Sequence, residues 1–254
     1  NDRLKTISNF SGSAGYSIIL KKKNYLFVDG RYTIQAKKEA GKNFQIIDFH
    51  KIINCNLFKN LTIGFDPKFF TSIQIKKFFH KNNKVKSIES NLIDQIHKNK
   101  VKSSKPFFSL KNKIVGENYK AKIMKIRKYL NKNKSDYLFI TAPENIAWLL
   151  NIRGHDNPNS PIPNCHLIIN NKKSFYLISS KDKVSKLINE KKIKSDQVVE
   201  PKNFNKFISN LKGKKIIVDK NTCSIFFENI LKKKFKILSI VDPIYSLKSV
   251  KNKT

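Results

Sequence analysis

Apolar and polar positions along the chain form short blocks that recur in the same order. Residues 17–39 predict a strand, a basic turn, a second strand and an amphipathic helix, and residues 166–190 predict the same succession. Residues 61–79 and 214–231 each predict a strand that ends in an aspartate and is followed by a helix. Strand-like runs interleaved with segments of 3.6-residue period are typical of an α/β fold with mixed sheets.

The recurrence indicates an internal duplication. Residues 2–12 align with residues 144–154 at an offset of 144 − 2 = 142, which places Asn9 over Asn151 and Gly12 over Gly154. Missing such a repeat would misassign the whole fold. The chain is therefore predicted to contain two copies of one three-layer α/β domain.

The periodicity breaks between the copies, and this break sets the predicted boundaries. The first domain is assigned to residues 1–104, a linker to 105–112 and the second domain to 113–254. The second copy opens with a helix and a strand that the first copy lacks. Because a sheet without its first strand would expose an apolar edge, we expect the natural protein to begin before Asn1.

The opening helix and strand of the second copy are predicted at about 115–133 and at 137–142. The two copies also differ in length between the apolar turn and the hairpin. The second copy has about eight more residues there, in the stretch RGHDNPNSPIPNC that begins at Arg153. Since loops on rigid scaffolds often carry function, this loop is the first place to look for a functional site.

Composition favours a folded, cytoplasmic protein and offers no metal site. With 39% apolar residues, the chain of 254 residues can bury a core, and no apolar run approaches the roughly 18 residues of a membrane span. The three cysteines are far apart, which argues against a disulfide framework or structural zinc. The five histidines show no spacing typical of metal ligands.

The net charge of +34 raises an alternative, a basic module that binds nucleic acid or another polyanion. Of the 52 basic residues only four are arginine, which leaves 52 − 4 = 48 lysines. The lysines are spread from end to end, whereas recognition of phosphates and bases usually favours the guanidinium group. A lysine-covered surface without a dedicated polyanion site is the preferred interpretation.

Two short motifs in the first copy are predicted to be structural. The segment GSAG, from Gly12 to Gly15, precedes a strand and lacks the spacing of a phosphate-binding loop, so we predict a tight turn of small residues. In VDGRY, Asp29 and Gly30 end a strand. Asp29 can cap the following helix while Arg31 pairs with an acidic neighbour, and the preferred interpretation is a buried structural ion pair.

The loop of the second copy carries the best exposed candidates. Arg153, Gly154 and Asp156 form one bend, and Pro158 with two further prolines stiffens it. We expect Arg153 and Asp156 to project toward a common surface and to meet another domain. Replacing Arg153 should then barely change this chain's melting temperature. The alternative is a loop that only braces its own domain, and no catalytic residue is assigned because no nucleophile motif or metal-binding carboxylate cluster is present.

Four segments, in order along the chain, resemble the two N-terminal domains of the three-domain Xaa-Pro aminopeptidases (aminopeptidase P) of the creatinase/prolidase superfamily. They are DRLKTISNFSGSAGYSIIL, YLFVDGRYTIQA, NLIDQI and TAPENIAWLLNIRGHDNPNSPIP. The resemblance covers essentially the whole chain. It implies two creatinase-N-like α/β domains, with His155 at a loop position where the family usually has serine.

The resemblance also implies a supporting role. In this family the catalytic domain follows these two domains and holds two divalent metal ions, usually manganese, so this chain would carry no cofactor and no peptidase activity alone. The two domains would cap the active site, restrict entry to peptides with proline second, and support assembly, including a homodimer. The implied partners are thus the catalytic domain and proline-containing peptides, without a membrane and without nucleic acid.

Overall fold

The structure is a computed structural model that describes residues 2–53, 57–79, 82–96, 105–157 and 159–251. The chain divides into two compact units, residues 1–100 and 101–254. Both units combine helices with mixed sheets, which confirms the predicted α/β class. In the described residues no helix is long and apolar enough to cross a membrane.

Unit 1 contains two small sheets. In the first, β2 pairs antiparallel with β1 and parallel with β3, and in the second β4 and β5 are parallel. One apolar cluster packs helices α1 and α2 on the first sheet, and another contains Phe78 of α3. The elements are α1 Asp2–Ser8, β1 Gly15–Ile19, β2 Asn24–Val28, α2 Thr33–Ala40, β3 Gln45–Asp48, β4 Thr62–Phe65, α3 Ser72–Phe78 and β5 Lys84–Ser87.

Unit 2 is built on one six-stranded sheet. Its order is β11-β10-β9-β7-β12-β13, and β6 and β8 form a separate two-stranded ribbon. The elements are β6 Phe108–Ser109, α4 Asn112–Val115, α5 Tyr119–Lys132, β7 Tyr137–Ile140, α6 Pro143–Leu150, β8 Ile152–Arg153, β9 His166–Asn170, β10 Phe175–Ile178, α7 Lys181–Asn189, β11 Val198–Val199, α8 Phe204–Asn210, β12 Lys215–Val218, α9 Ile225–Lys232, β13 Lys236–Ser239 and α10 Ile244–Ser249.

Helices cover both faces of the six-stranded sheet. Strand β7 lies near its middle, and alternate side chains point to opposite faces. Leu138 and Ile140 join the apolar cluster that includes helices α5, α6, α7 and α10. Tyr137 and Phe139 join the cluster that includes α8 and α9. Unit 2 is therefore a three-layer domain, and its opening helix and strand lie within the predicted ranges.

The predicted linker 105–112 differs from the structure. Phe107 is fully buried in the first apolar cluster of unit 2, and its backbone N–H donates to the Lys183 carbonyl at 2.7 Å. The next two residues form β6, which pairs antiparallel with β8. A buried aromatic ring and a strand pair make this stretch part of unit 2. The interrupted periodicity of the sequence reflects a two-residue strand, too short to show a pattern.

Candidate functional site

The loop that follows β8 is held against unit 2 by its backbone. Arg153 pairs with Phe108 across the ribbon, and the N–H of Gly154 donates to the Pro161 carbonyl at 3.0 Å. A Cβ atom at Gly154 would lie 2.7 Å from the Cα of Pro163 and 3.1 Å from the Phe107 ring. Only glycine fits this approach without displacing backbone, so the bend at residue 154 is fixed by packing.

Arg153 points back into its own unit. Its Nη1 donates to the carbonyls of Ala147 at 3.2 Å and Ile152 at 2.8 Å. Burial lowers the pKa of the guanidinium, which remains charged because arginine titrates far above neutral pH. Ala147 lies in the last turn of α6, so the cation lies where the helix dipole favours positive charge.

Two lysines meet at the same end of α6. Lys122 of α5 is buried, and its Nζ donates to the Trp148 carbonyl at 2.9 Å and to Oδ1 of Asn151 at 2.7 Å. The ammonium also lies 4.0 Å from the centre of the Trp148 ring. Lys192 donates to the Asn151 carbonyl at 3.0 Å. Burial lowers the pKa of each lysine to about 8.

Asn151 connects these cations to the end of the helix. It adopts a left-handed conformation with φ of 52°, and its N–H donates back to the Ala147 carbonyl. Its Nδ2 donates to the Glu117 carbonyl at 2.8 Å. This cluster was not predicted from the sequence, because α5 carries four other lysines that are all exposed and nothing in the sequence distinguishes Lys122 from them. The aligned pair Asn9 and Asn151 was the available signal, since both residues have positive φ.

Asp156 is engaged on the other side of the bend. It forms an ion pair with Lys183, and both side chains are mostly buried, at 14% and 15% exposed. Its Oδ2 also accepts the N–H of Asn164 at 2.7 Å. Arg153 and Asp156 therefore have separate partners inside unit 2, and the structure does not bring them to one surface. The predicted candidate Pro158 lies outside the described residues.

Other residues of the loop face outward. His155, Asn157, Asn159 and Pro161 are exposed. The His155 ring stacks on Phe108 with centroids 5.2 Å apart, which fixes the imidazole at the surface of the ribbon. The exposed face of the loop thus consists of imidazole, amide and proline groups rather than of the two predicted charges.

A second polar cluster lies where the parallel strands of unit 2 end. Asp219 follows β12, and its Oδ2 accepts the N–H of Asp242 at 3.1 Å. Asp242 in turn accepts from Asn145 Nδ2 at 2.7 Å, and Lys248 donates to Asn145 Oδ1 at 2.6 Å. Burial raises the pKa of Asp242. These bonds join the start of α6 to the segment before α10. We therefore assign this cluster a structural role.

The motifs of unit 1 have structural environments. A Cβ at Gly12 would lie 2.2 Å from the Phe10 ring, and one at Gly15 would lie 3.0 Å from the Phe27 carbonyl. A side chain at Gly12 would displace the buried Phe10 ring, and one at Gly15 would press on the Phe27 backbone, so both positions favour small residues, as expected for a tight turn. A Cβ at Gly30 would be 3.6 Å from Asp48, an ordinary contact, so packing does not demand glycine there.

Asp29 accepts the N–H of Arg31 at 3.1 Å and its Nε at 2.8 Å, which makes it the cap of a short 3-10 helix. The pair is local and solvent-exposed, since the Arg31 side chain is 78% exposed. The expectation of a buried ion pair is wrong. The two residues are only two positions apart at a strand end, where the chain turns outward.

Among the described residues, no group of three His, Cys, Asp or Glu side chains is placed to hold a metal ion.

Comparison with known proteins gives a consistent family. Residues 97–254 match the model of the creatinase/prolidase N-terminal domain. Xaa-Pro aminopeptidase 1 of Dictyostelium discoideum is 28% identical over 283 aligned positions, covering 99% of this chain and 43% of that protein. A probable Xaa-Pro aminopeptidase P of Laccaria bicolor is 32% identical over 171 positions, covering 61% of this chain and 26% of that protein.

The fold has a solved counterpart along the whole chain. The X-prolyl aminopeptidase of Caenorhabditis elegans, described as a cytosolic enzyme with a dinuclear active site, superposes with a TM-score of 0.82 at 21% identity. The superposition covers 99% of this chain and 44% of that one. The chain thus spans about two fifths of the Dictyostelium and Caenorhabditis proteins. This chain belongs to the creatinase/prolidase N-terminal domain family, as its sequence motifs indicated.

Proposed function

We propose that this chain is the non-catalytic N-terminal part of a metal-dependent Xaa-Pro aminopeptidase, which removes an N-terminal residue that precedes proline. The observation that carries the proposal is the similarity to Xaa-Pro aminopeptidase 1 of Dictyostelium over 99% of this chain. Since the match covers 43% of that protein, the reaction of the whole enzyme would depend on residues outside it. By analogy with the cytosolic Caenorhabditis enzyme, we place the activity in the cytoplasm.

The metal chemistry belongs to the rest of the enzyme in this proposal. The Caenorhabditis relative has a dinuclear active site, and two divalent ions, usually manganese in this family, would activate the water that attacks the peptide bond. The described residues of this chain offer no cluster of three ligands for such an ion. We therefore assign this chain no step of hydrolysis and give it a role in access and assembly.

The loop after β8 is the part of unit 2 that best fits a contact with the catalytic domain. Its backbone is fixed by Gly154, and Arg153 and Asp156 hold it from inside. A rigid loop loses little conformational entropy when a partner binds. The contact itself would be made by exposed groups such as His155 and Asn159, with the two charged residues as internal supports.

A chimera tests this role. The matching region of the Dictyostelium enzyme would be replaced by this chain, and hydrolysis of Arg-Pro-Pro and Arg-Ala-Pro would be measured with manganese. We expect the chimera to cleave Arg-Pro-Pro in preference, and a matched protein lacking the region to lose that preference or fail to assemble. Equal rates and specificity with and without the region would contradict the proposed role.

The isolated chain provides the complementary test. We expect it to show no turnover of Arg-Pro-Pro with added manganese, and chelator-sensitive turnover would overturn the non-catalytic assignment. In the chimera, the double change His155→Ala and Asn159→Ala should lower activity or assembly without altering the melting temperature of the isolated chain. Lys120→Ala, an exposed change on α5, is the matched surface control.

The net charge of +34 is the reason to consider a second function, the binding of nucleic acid or another polyanion. Several lysines of unit 2 are used internally, since Lys122, Lys183 and Lys192 bind carbonyls, an amide or a carboxylate. We therefore expect only weak binding of duplex or single-stranded nucleic acid, independent of sequence and lost by about 150 mM salt. A sub-micromolar complex at that ionic strength would favour the rival.

A further inference from the structure

Lys192 is held in a fixed position beside the end of α6. Its backbone N–H donates to the Leu187 carbonyl at 3.0 Å, and its carbonyl accepts the Tyr119 hydroxyl, also at 3.0 Å. Its Nζ donates to the Asn151 carbonyl at 3.0 Å and lies 5.2 Å from the centre of the Tyr119 ring. Contacts of the backbone and of the side chain therefore fix the position of this amine, although the residue is only partly buried.

Lys192 lies among cations rather than beside a carboxylate. Lys122 bonds to the side chain of Asn151, whose carbonyl Lys192 binds, and Arg153 binds a carbonyl at the same end of α6. Among the described residues, Lys192 forms no ion pair with a carboxylate. Burial lowers the pKa of Lys192 to about 8, an effect that Glu190 opposes and Lys122 strengthens. A lysine that is partly removed from water and lies near another cation is an activated nucleophile.

Other lysines of unit 2 differ from Lys192 in accessibility or in the charges around them. Lys122 also has a pKa lowered to about 8, but it is only 2% exposed and its Nζ is held by two oxygens. In the described part of unit 2, the lysines that form ion pairs with carboxylates are Lys125, Lys183, Lys220 and Lys232. Such pairing favours the charged ammonium, which is not a nucleophile. Lys192 thus combines a lowered pKa with access to solvent, whereas Lys122 has the first property without the second.

We propose that Lys192 is a site of acylation by small acyl phosphates. The neutral Nζ attacks the carbonyl carbon of the donor, a C–N bond forms, and the C–O bond to the phosphate group breaks. The departing phosphate takes up the proton that the amine loses. The products are an Nζ-acylated lysine and inorganic phosphate, so the reaction needs no other reactant than the donor.

The charges and bonds of the site suit both this donor and its product. Lys122 and Arg153 provide positive charge at the end of α6, and a positive potential attracts the negatively charged phosphate of the donor. The acylated Nζ keeps one N–H, which can still donate to the Asn151 carbonyl. Acylation also removes the charge of Lys192 and with it the repulsion between Lys192 and Lys122. The product therefore retains a bond of the unmodified lysine and loses an unfavourable interaction.

The probe is acetyl phosphate, added to the folded chain at pH 7.5, with acetylation of each lysine followed by mass spectrometry. Cleavage after glutamate releases residues 191–200 as one peptide, which contains Lys192 and the exposed Lys194. A pKa of about 8 leaves a far larger neutral fraction at pH 7.5 than the ordinary value of about 10.4. Partial burial and lower basicity offset part of this gain, so we expect Lys192 to react about tenfold faster than Lys194. Lys122 should stay unmodified because it is buried.

The same chain unfolded in guanidinium chloride is the matched control. Lys192 and Lys194 should then react at similar rates, because the surroundings that activate Lys192 are lost. A pH series on the folded chain gives a second test. The rate at Lys192 should level off above about pH 8.5, whereas the rate of an ordinary lysine keeps rising toward about pH 10. Equal rates at the two lysines in the folded chain, a preference that persists after unfolding, or a Lys192 rate still rising at about pH 10 would overturn the proposal.

Discussion

Units 1 and 2 share strand directions, but they differ in how completely their sheets are buried. In unit 2 the six strands form one sheet with helices on both faces, and β7 joins its two sets of strands. In unit 1 the corresponding strands form sheets of three and two. The difference shows that one apolar strand, by contributing side chains to both faces, makes its neighbours interior rather than edge strands.

Matching details extend the comparison beyond the sheets. Asp66 and Asp219 each follow a strand, and each accepts the N–H two residues later at 2.9 Å. Asp66 also accepts from Asn91, and Asp219 from the N–H of Asp242, so both aspartates hold the segment after the last strand. These equivalences support the predicted duplication, which we retain as a proposal for the origin of the two units.

Removing the centre of β7 should have the largest effect. Phe139 is 1% exposed and lies against Phe204 and Phe227, with ring centroids 5.5 Å away in both cases. We expect Phe139→Ala to lower the free energy of unfolding of unit 2 by about 3–5 kcal/mol. Urea unfolding followed by fluorescence of Trp148 reports unit 2 alone, because this is the only tryptophan.

The comparator is Ile19→Ala in β1, which should cost about 1 kcal/mol or less because the side chain is already 52% exposed. Because unit 1 has no tryptophan, the stability of this variant would be measured by hydrogen exchange of the unit 1 amides. Unchanged hydrogen exchange in β9 and β12 of Phe139→Ala would show that β7 does not make its neighbours interior strands.

The two left-handed asparagines allow a sharper test. Asn9 and Asn151 end equivalent helices with φ of 59° and 52°, but Asn9 is exposed and Asn151 is buried in the lysine cluster. Glycine tolerates positive φ. We therefore expect Asn9→Gly to change stability by less than about 0.5 kcal/mol. Asn151→Gly should cost about 1–3 kcal/mol, because Lys122 and the Glu117 carbonyl each lose a partner.

Alanine at the same positions separates backbone strain from lost contacts. Asn9→Ala should cost about 1–2 kcal/mol, because only the left-handed conformation is penalised there. Asn151→Ala should exceed Asn151→Gly by a similar amount. Equal losses for Asn9→Gly and Asn151→Gly would show that the buried contacts of Asn151 contribute nothing to stability.

Arg153 and Arg31 allow a comparison of two guanidinium groups. The Arg153 group is bonded inside unit 2, and the Arg31 group is exposed. The sequence alone led us to expect little change in melting temperature from Arg153→Ala, but the structure gives this side chain two carbonyl acceptors in its own unit. We now expect a loss of about 1–2 kcal/mol, read by Trp148 fluorescence. Arg31→Ala should leave the stability of unit 1 nearly unchanged, because its ion pair with Asp29 is exposed to solvent. An unchanged midpoint for Arg153→Ala would restore the original expectation of an interface residue.

The sequence was sufficient to predict the recurring strand and helix blocks and their order, because strands and helices of ordinary length show a clear hydrophobic period. It did not predict β3, β11 or α8. It failed where structure depends on contacts between distant residues. The pairing of Phe108 with Arg153 involves a strand of two residues, and the burial of Lys122 depends on acceptors 26 and 29 positions away. The partner of Asp156 is likewise Lys183, on a helix beyond the next hairpin.

The smallest predicted effect is a pH dependence confined to unit 2. Lys122 and Lys192 have pKa values lowered to about 8 by burial, against about 10.4 in an unfolded chain. Between these values the two lysines bind more protons in the unfolded state, so they should raise the unfolding free energy as the pH increases from about 8 to 10. Burial raises the pKa of the Cys165 and Cys223 thiols, so these thiols oppose the rise from about pH 8.5, where an unfolded cysteine titrates. Tyrosines whose pKa is raised by burial, such as Tyr119, oppose it above about pH 10.

Lys192 is only partly buried, so solvent screening should limit the contribution of the two lysines to on the order of 1 kcal/mol. The test compares urea midpoints from Trp148 fluorescence at pH 7.5 and 9.5. The double variant Lys122→Met and Lys192→Met should lose this contribution, so its unfolding free energy should fall relative to that of the unchanged chain between pH 7.5 and 9.5. Lys120→Met, an exposed change on the same helix as Lys122, should follow the unchanged chain. The same pH dependence in the double variant and in the unchanged chain would show that the two lysines at the end of α6 do not contribute to it.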